Sequence, residues 1–125
     1  MKQCLLIFLG GGLGASFRFL MVQVACKLCG AGFPIGILGV NAVGCFLMGI
    51  AVMMFQTYTA HALWHSFVII GVLGGFTTFS SFTYDYWHLF QRGDFAWGAF
   101  YLVGSIVLSS ILLISGMKVA RLIVA

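Results

Sequence analysis

Glutamate is absent from this 125-residue chain, and aspartate occurs only at Asp85 and Asp94. Chemistry built on paired carboxylates needs two acids held close together. Asp94 falls in a connection between apolar runs, so most chemistry of that kind is excluded. Charged residues make up 6% of the chain, against about 25% in soluble domains. The net charge of +4 is too sparse for a nucleic-acid footprint. Cysteine is limited to Cys4, Cys26, Cys29 and Cys45. Cys26 and Cys29 have C-x-x-C spacing, but a metal or redox reading needs a second pair or a thioredoxin-like context. Neither is present, so the cysteines read as small apolar helix residues.

Hydrophobic residues fill 62% of the chain and aromatic residues 16%. A soluble domain of this length could not bury that much apolar surface, so the expected solvent is a bilayer. A helical span takes ~20 apolar residues. The chain therefore reads as one all-α domain, residues 1–125, with four spans near 3–25, 34–55, 63–90 and 95–117. Lys2 and the apolar run after it begin like a signal peptide. Gly10-Gly11-Gly12-Leu13-Gly14 then continues to Arg18 without a small-x-small cleavage site, so the segment is expected to be the first span.

The third apolar run is too long for one untilted crossing at ~1.5 Å per residue. Its middle, residues 71–82, holds Gly74-Gly75 and then Thr77-Thr78, a poor helix interior. A break is expected there. Backbone groups freed in a membrane must face protein or a wet cavity, and transporters use such breaks to hold ions. That is the preferred reading; the alternative is a glycine kink that only aids packing.

Lys2, Lys118 and Arg121 fall on one side of a four-span chain. Lys27, Arg92 and Arg18 fall toward the other. This three-to-three balance gives no orientation under the positive-inside rule. If Arg18 is buried in protein, the count becomes three against two, still a weak bias.

A few polar residues stand out within the spans. Asn41 is either an interhelical hydrogen-bonding group or a pore-lining donor. Phe76, Phe79 and Phe82 recur every third residue, with Ser80 and Ser81 between them. They are either packing or rings whose positive edges face an anion. Tyr101, Ser105 and Ser109 share one face of the fourth span, able to donate to an anion or to bond back to the helix. His61 and His65 have metal-compatible spacing, but beside Trp64 they read better as part of an interfacial belt.

The motif Gly11-Gly12-Leu13-Gly14-Ala15-Ser16-Phe17-Arg18-Phe19 resembles the Gly-rich opening of the CrcB/Fluc family of fluoride channels. Gly36-Ile37-Leu38-Gly39-Val40-Asn41 is similar to that family's second-span asparagine motif. Gly74-Gly75-Phe76-Thr77-Thr78-Phe79-Ser80-Ser81-Phe82 resembles its third-span signature, with Ser81 where threonine is common. The resemblance covers essentially the whole chain. It implies a dual-topology homodimer of antiparallel four-span subunits in a bacterial plasma or inner membrane, passively exporting fluoride to relieve its toxicity. It also implies that Phe79, Phe82, Asn41, Ser80, Tyr101, Ser105 and Ser109 line the pore and that Arg18 lies near a vestibule. The carbonyls of Gly74 and Thr77 would hold a structural sodium ion. Asp85 stands where that family often has glutamate.

Two other classes compete. A small proton-coupled multidrug exporter is also a short four-span protein, but it relies on a glutamate in its first span, and none exists here. A purely structural membrane subunit accounts for the glycines but not for the expected break or the hydroxyl face.

Overall fold

The computed structural model of the chain describes residues 1–30, 32–58 and 62–124. Every regular element among the described residues is helical. The order is α1 (Lys2–Cys29), α2 (Ile35–Thr57), α3 (Ala62–His65), a π-helical stretch (Ser66–Leu73), α4 (Gly74–Phe76), α5 (Phe79–Gln91) and α6 (Phe95–Val124). Four segments are long and apolar enough to cross a membrane: Lys2–Cys29, Ile35–Thr57, Ala62–Gln91 and Phe95–Val124.

Helix ends follow local chemistry. α1 stops at Gly30, whose φ of 78° is left-handed backbone that glycine adopts freely. The Gly30 amide donates back to the Cys26 carbonyl at 3.0 Å. Cys26 and Cys29 therefore lie in the last turns of α1, beyond the residue-25 end expected for the first span. No breaker precedes Gly30, so nothing ends the helix at residue 25. α6 likewise runs through Lys118 and Arg121 to Val124 instead of stopping at residue 117. α5 ends before Gly93, at φ 79°, and the Asp94 amide closes the turn on the Leu89 carbonyl at 3.1 Å.

Glycine decides which helices meet. α2 lies along α6, and α1 lies along the π-helical stretch and α4. A methyl group on Gly116 would run into the Phe46 carbonyl oxygen, and one on Gly49 into the Leu113 carbonyl oxygen. On the other pair, a Cβ at Gly10 would come within 2.6 Å of the Phe67 carbonyl oxygen, and one at Gly75 within 2.6 Å of the Gly11 carbonyl oxygen. Gly10 meets Gly71 and Gly11 meets Gly75, while Gly14 meets the Val72 and Phe76 backbone; such small residues let two backbones approach where lipid offers no hydrophobic drive. Gly116→Leu is therefore expected to destabilise the protein by about 3 kcal/mol, at the upper end of overpacking costs. Gly12→Ala, with open space around it, should be neutral. The check is the fraction of protein left monodisperse in detergent after a temperature ramp.

The two connections at one end of the bundle are fastened together. Arg92 Nη1 donates to the Gly32 carbonyl at 3.3 Å, and Arg92 Nε pairs with Asp94 Oδ2 at 3.3 Å. The Phe33 ring meets Trp97 and Tyr101 edge-on, with centroids 5.6 Å away in each case. Large apolar side chains including Phe8, Leu28, Phe100 and Leu122 are exposed around the perimeter. In water this surface would be costly; in a bilayer it faces lipid or another chain.

Candidate functional site

Thr77 and Thr78, between α4 and α5, have extended backbone, with ψ 155° and 127°. Gly74 and Gly75 just before them are helical. The missing side chain of Gly75 lets α1 come close at Gly11, whereas a Cβ on Gly74 would meet only the Ile69 carbonyl oxygen, at 3.5 Å. Thr78 caps α5: its Oγ1 accepts from the Ser81 amide at 3.2 Å and lies 3.2 Å from Ser80 Oγ.

Asn41 on α2 holds the same peptide from the side. Its Nδ2 donates to the Thr78 carbonyl at 2.9 Å, and its Oδ1 accepts from the Thr78 amide at 2.8 Å. The carboxamide thus acts as the interhelical tie, and its second N–H remains available. Two carbonyls lose their helical partners as a result. In an unbroken helix the Thr78 amide would bond the Gly74 carbonyl and the Ser81 amide the Thr77 carbonyl. Both amides donate instead to side chains. Arg18, from the middle of α1, sends Nη1 to the Thr77 carbonyl at a long 3.4 Å. It is half-buried at the interruption and belongs to neither end of the bundle, so the loops and termini carry Lys/Arg three against two.

Asn41→Ala removes both bonds to Thr78. An unsatisfied buried amide or carbonyl costs ~1–3 kcal/mol, so the variant is expected to lose several kcal/mol of stability. Circular dichroism melting in detergent checks this. A midpoint within two degrees of wild type would show that Thr78 does not depend on Asn41.

A cleft of about 420 Å³ opens beside this interruption. α2 contributes Asn41 and Cys45; the interruption and α5 contribute Gly74, Thr77, Thr78, Phe79 and Phe82; α6 contributes Ser105, Ile106 and Ser109. The structure therefore gathers seven of the sequence-derived site residues in one place. Phe79 is 78% exposed, Phe82 only 5%, and their ring centroids are 5.7 Å apart. Ser105 is 5% exposed, and its Oγ has no hydrogen-bond partner. Ser110 and Ser115 on the same helix donate back to the Ile106 and Ile111 carbonyls, at 2.8 Å each. Ser105 does not, so a buried donor faces the cleft unpaired.

Three sequence-derived residues lie off the cleft lining. Tyr101 is fully buried, its ring 5.3 Å from Phe82, and its hydroxyl donates to Asp85 Oδ2 at 3.2 Å. Ser80 is exposed at the start of α5, and Arg18 sits behind the break. Sequence reasoning missed Thr78 and Cys45 as lining residues. The i, i+4 spacing of Cys45 from Asn41 was the available signal. His65 meets the Phe55 ring edge-on at 5.8 Å, and His61 lies outside the described residues. No cluster of three His, Cys, Asp or Glu side chains occurs among the described residues.

Four apolar spans and an open cleft lined by neutral hydroxyls, an amide and aromatic rings beside an interruption define a multi-pass helical membrane protein with a few polar groups gathered in its transmembrane part. Residues 5–117 match the family described as CrcB-like protein, camphor resistance (CrcB). The chain is 42% identical over 122 residues to a fluoride-specific ion channel FluC of Rhizobium etli (strain CIAT 652), covering 97% of this chain and 98% of that protein. It is 46% identical over 119 residues to a fluoride-specific ion channel FluC of Ruegeria sp. (strain TM1040), covering 92% and 91%. Its identity to a protein of the same name from Agrobacterium fabrum (strain C58 / ATCC 33970) is 41% over 117 residues, covering 93% and 94%. The chain belongs to the CrcB family.

Proposed function

We propose that the chain is a passive fluoride channel of the bacterial inner membrane, not an enzyme, and that it exports cytoplasmic fluoride to relieve toxicity. One observation carries the reading: a single transmembrane cleft brings together Asn41, Phe79, Phe82, Ser105 and Ser109 with no fixed charge among its lining residues. Fluoride is small and strongly hydrated, so a path must replace much of its water. Conduction also needs binding weak enough to release the ion. Neutral hydroxyls, an amide N–H and ring edges supply partial replacement. The N-terminal end of α5 at Phe79 adds the positive end of a helix dipole. Arg18, behind the break, biases the vestibule toward anions without entering the path. Ser80 serves the α5 entrance, and Tyr101 supports Phe82 from behind as the inner end of the hydroxyl face.

The working unit in this reading is an antiparallel, dual-topology homodimer with two such paths, and the interruption of the third span is its centre. The near-balance of Lys and Arg supports insertion both ways. Gly74 is exposed, and the Gly74 and Thr77 carbonyls have lost their helical amides. Such oxygens suit a hard cation, and sodium held there by both subunits would serve structure. Proteoliposomes test the reading. With voltage held at zero by potassium and valinomycin, fluoride should run down its own gradient, and an imposed pH gradient should not move it uphill. Uphill movement driven by protons would instead indicate a coupled exporter.

A further inference from the structure

We propose that the Cys45 thiol forms part of the wall of the fluoride path and makes that path closable by a soft, thiophilic cation. The inference rests on reading the cleft as the path. Cys45 lies one helical turn from Asn41 on the same face of α2 and lines the cleft together with Ser105 and Ser109 of α6. It is half-buried and its thiol is free. Ser105 supplies the second, independent observation: the residue is 5% exposed, its buried hydroxyl lacks any partner, and it lines the same space. Cysteine and serine thus contribute to two sides of one open cleft, where the Ser105 donor is unsatisfied. Cys4, Cys26 and Cys29 are exposed and do not line this cleft.

The thiol differs from its neighbours in softness. Hydroxyl, amide and carbonyl oxygens favour hard ions, whereas sulfur selects soft ones such as monovalent silver. Silver binds by displacing the thiol proton: the S–H bond breaks, the S–Ag bond forms and the proton passes to buffer. No electron changes hands. With no cluster of three His, Cys, Asp or Glu side chains among the described residues, the cation is held by one sulfur, so an added dithiol can remove it. While bound, the neutral silver thiolate adds a heavy atom to the wall of a cleft of about 420 Å³ and removes the thiol donor from it. Fluoride arriving there meets a narrower wall with one donor fewer to replace its water, and its passage is slowed.

The experiment is fluoride efflux from chloride-free proteoliposomes, with and without micromolar silver nitrate. It compares wild type, a protein with Cys45 as its sole cysteine (Cys4→Ser, Cys26→Ser, Cys29→Ser), and Cys45→Ser and Cys45→Ala. Each is normalised to its own untreated rate. Silver should slow wild type and the sole-cysteine protein at least tenfold, with recovery after dithiothreitol. Whichever Cys45 variant conducts should keep more than half its rate. A conducting sole-cysteine protein untouched by silver overturns the proposal, as does equal inhibition of the Cys45 variants. Wild-type vesicles that release no fluoride before silver is added overturn the channel reading itself.

Discussion

Phe79→Ile is expected to slow fluoride efflux about tenfold, and Phe79→Ile with Phe82→Ile about a hundredfold. Isoleucine keeps apolar bulk but has no quadrupole. Contacts at an aromatic ring edge contribute ~0.5–1.5 kcal/mol beyond buried area, and ~1.4 kcal/mol is a factor of ten in rate. The two positions are not equivalent. Phe79 is 78% exposed in the single chain, so its replacement disturbs little packing and reads the ring edge almost alone. Phe82 is buried against Tyr101 at 5.3 Å, and its replacement also loosens the core cluster of Phe82, Leu89 and Tyr101. The single Phe79 variant therefore isolates the electrostatic effect, and a melting curve of each variant separates misfolding from lost conduction. Wild-type rates in both single variants would reduce the rings to packing.

Complete removal of sodium, with a bulky organic cation in its place, is expected to bring fluoride flux to background and to dissociate the proposed dimer. A two-fold contact repeats every ligand, so the Gly74 and Thr77 carbonyls of two chains would set four oxygens around one point. Without a cation those dipoles oppose one another. A ligand at a hundred times its dissociation constant stabilises by ~2.7 kcal/mol, and that amount is forfeited on depletion. Thr77→Ser should change little, because the ligand is backbone. Cross-linking and flux measured after prolonged dialysis give the result. Unchanged flux and assembly would mean that the interruption holds no required cation.

The four spans were legible because runs of about 20 apolar residues have few alternatives. Their contacts were not. In water a helix shows its buried face by amphipathic pattern; in lipid all faces are apolar and that signal is lost. The information sits in glycine. Gly10, Gly14, Gly71, Gly75, Gly49 and Gly116 are contact points, yet in the sequence the first of these read only as a Gly-rich motif. The spacing of Tyr101, Ser105 and Ser109 correctly put them on one face, but only the serines reach the cleft lining. Long helical side chains lean toward the helix N-terminus, which carries the Tyr101 hydroxyl away from Ser105 and toward Asp85. Asn41 could not be assigned from one span alone, because its partner, the Thr78 peptide, lies 37 residues away.

Paired efflux of fluoride and chloride from the same proteoliposomes, with potassium and valinomycin present, tests the central claim most directly. A path of small neutral donors and ring edges predicts that fluoride leaves at least about a hundredfold faster than chloride, a difference of ~2.8 kcal/mol. Comparable rates for the two ions, or no fluoride release above protein-free vesicles, would contradict it.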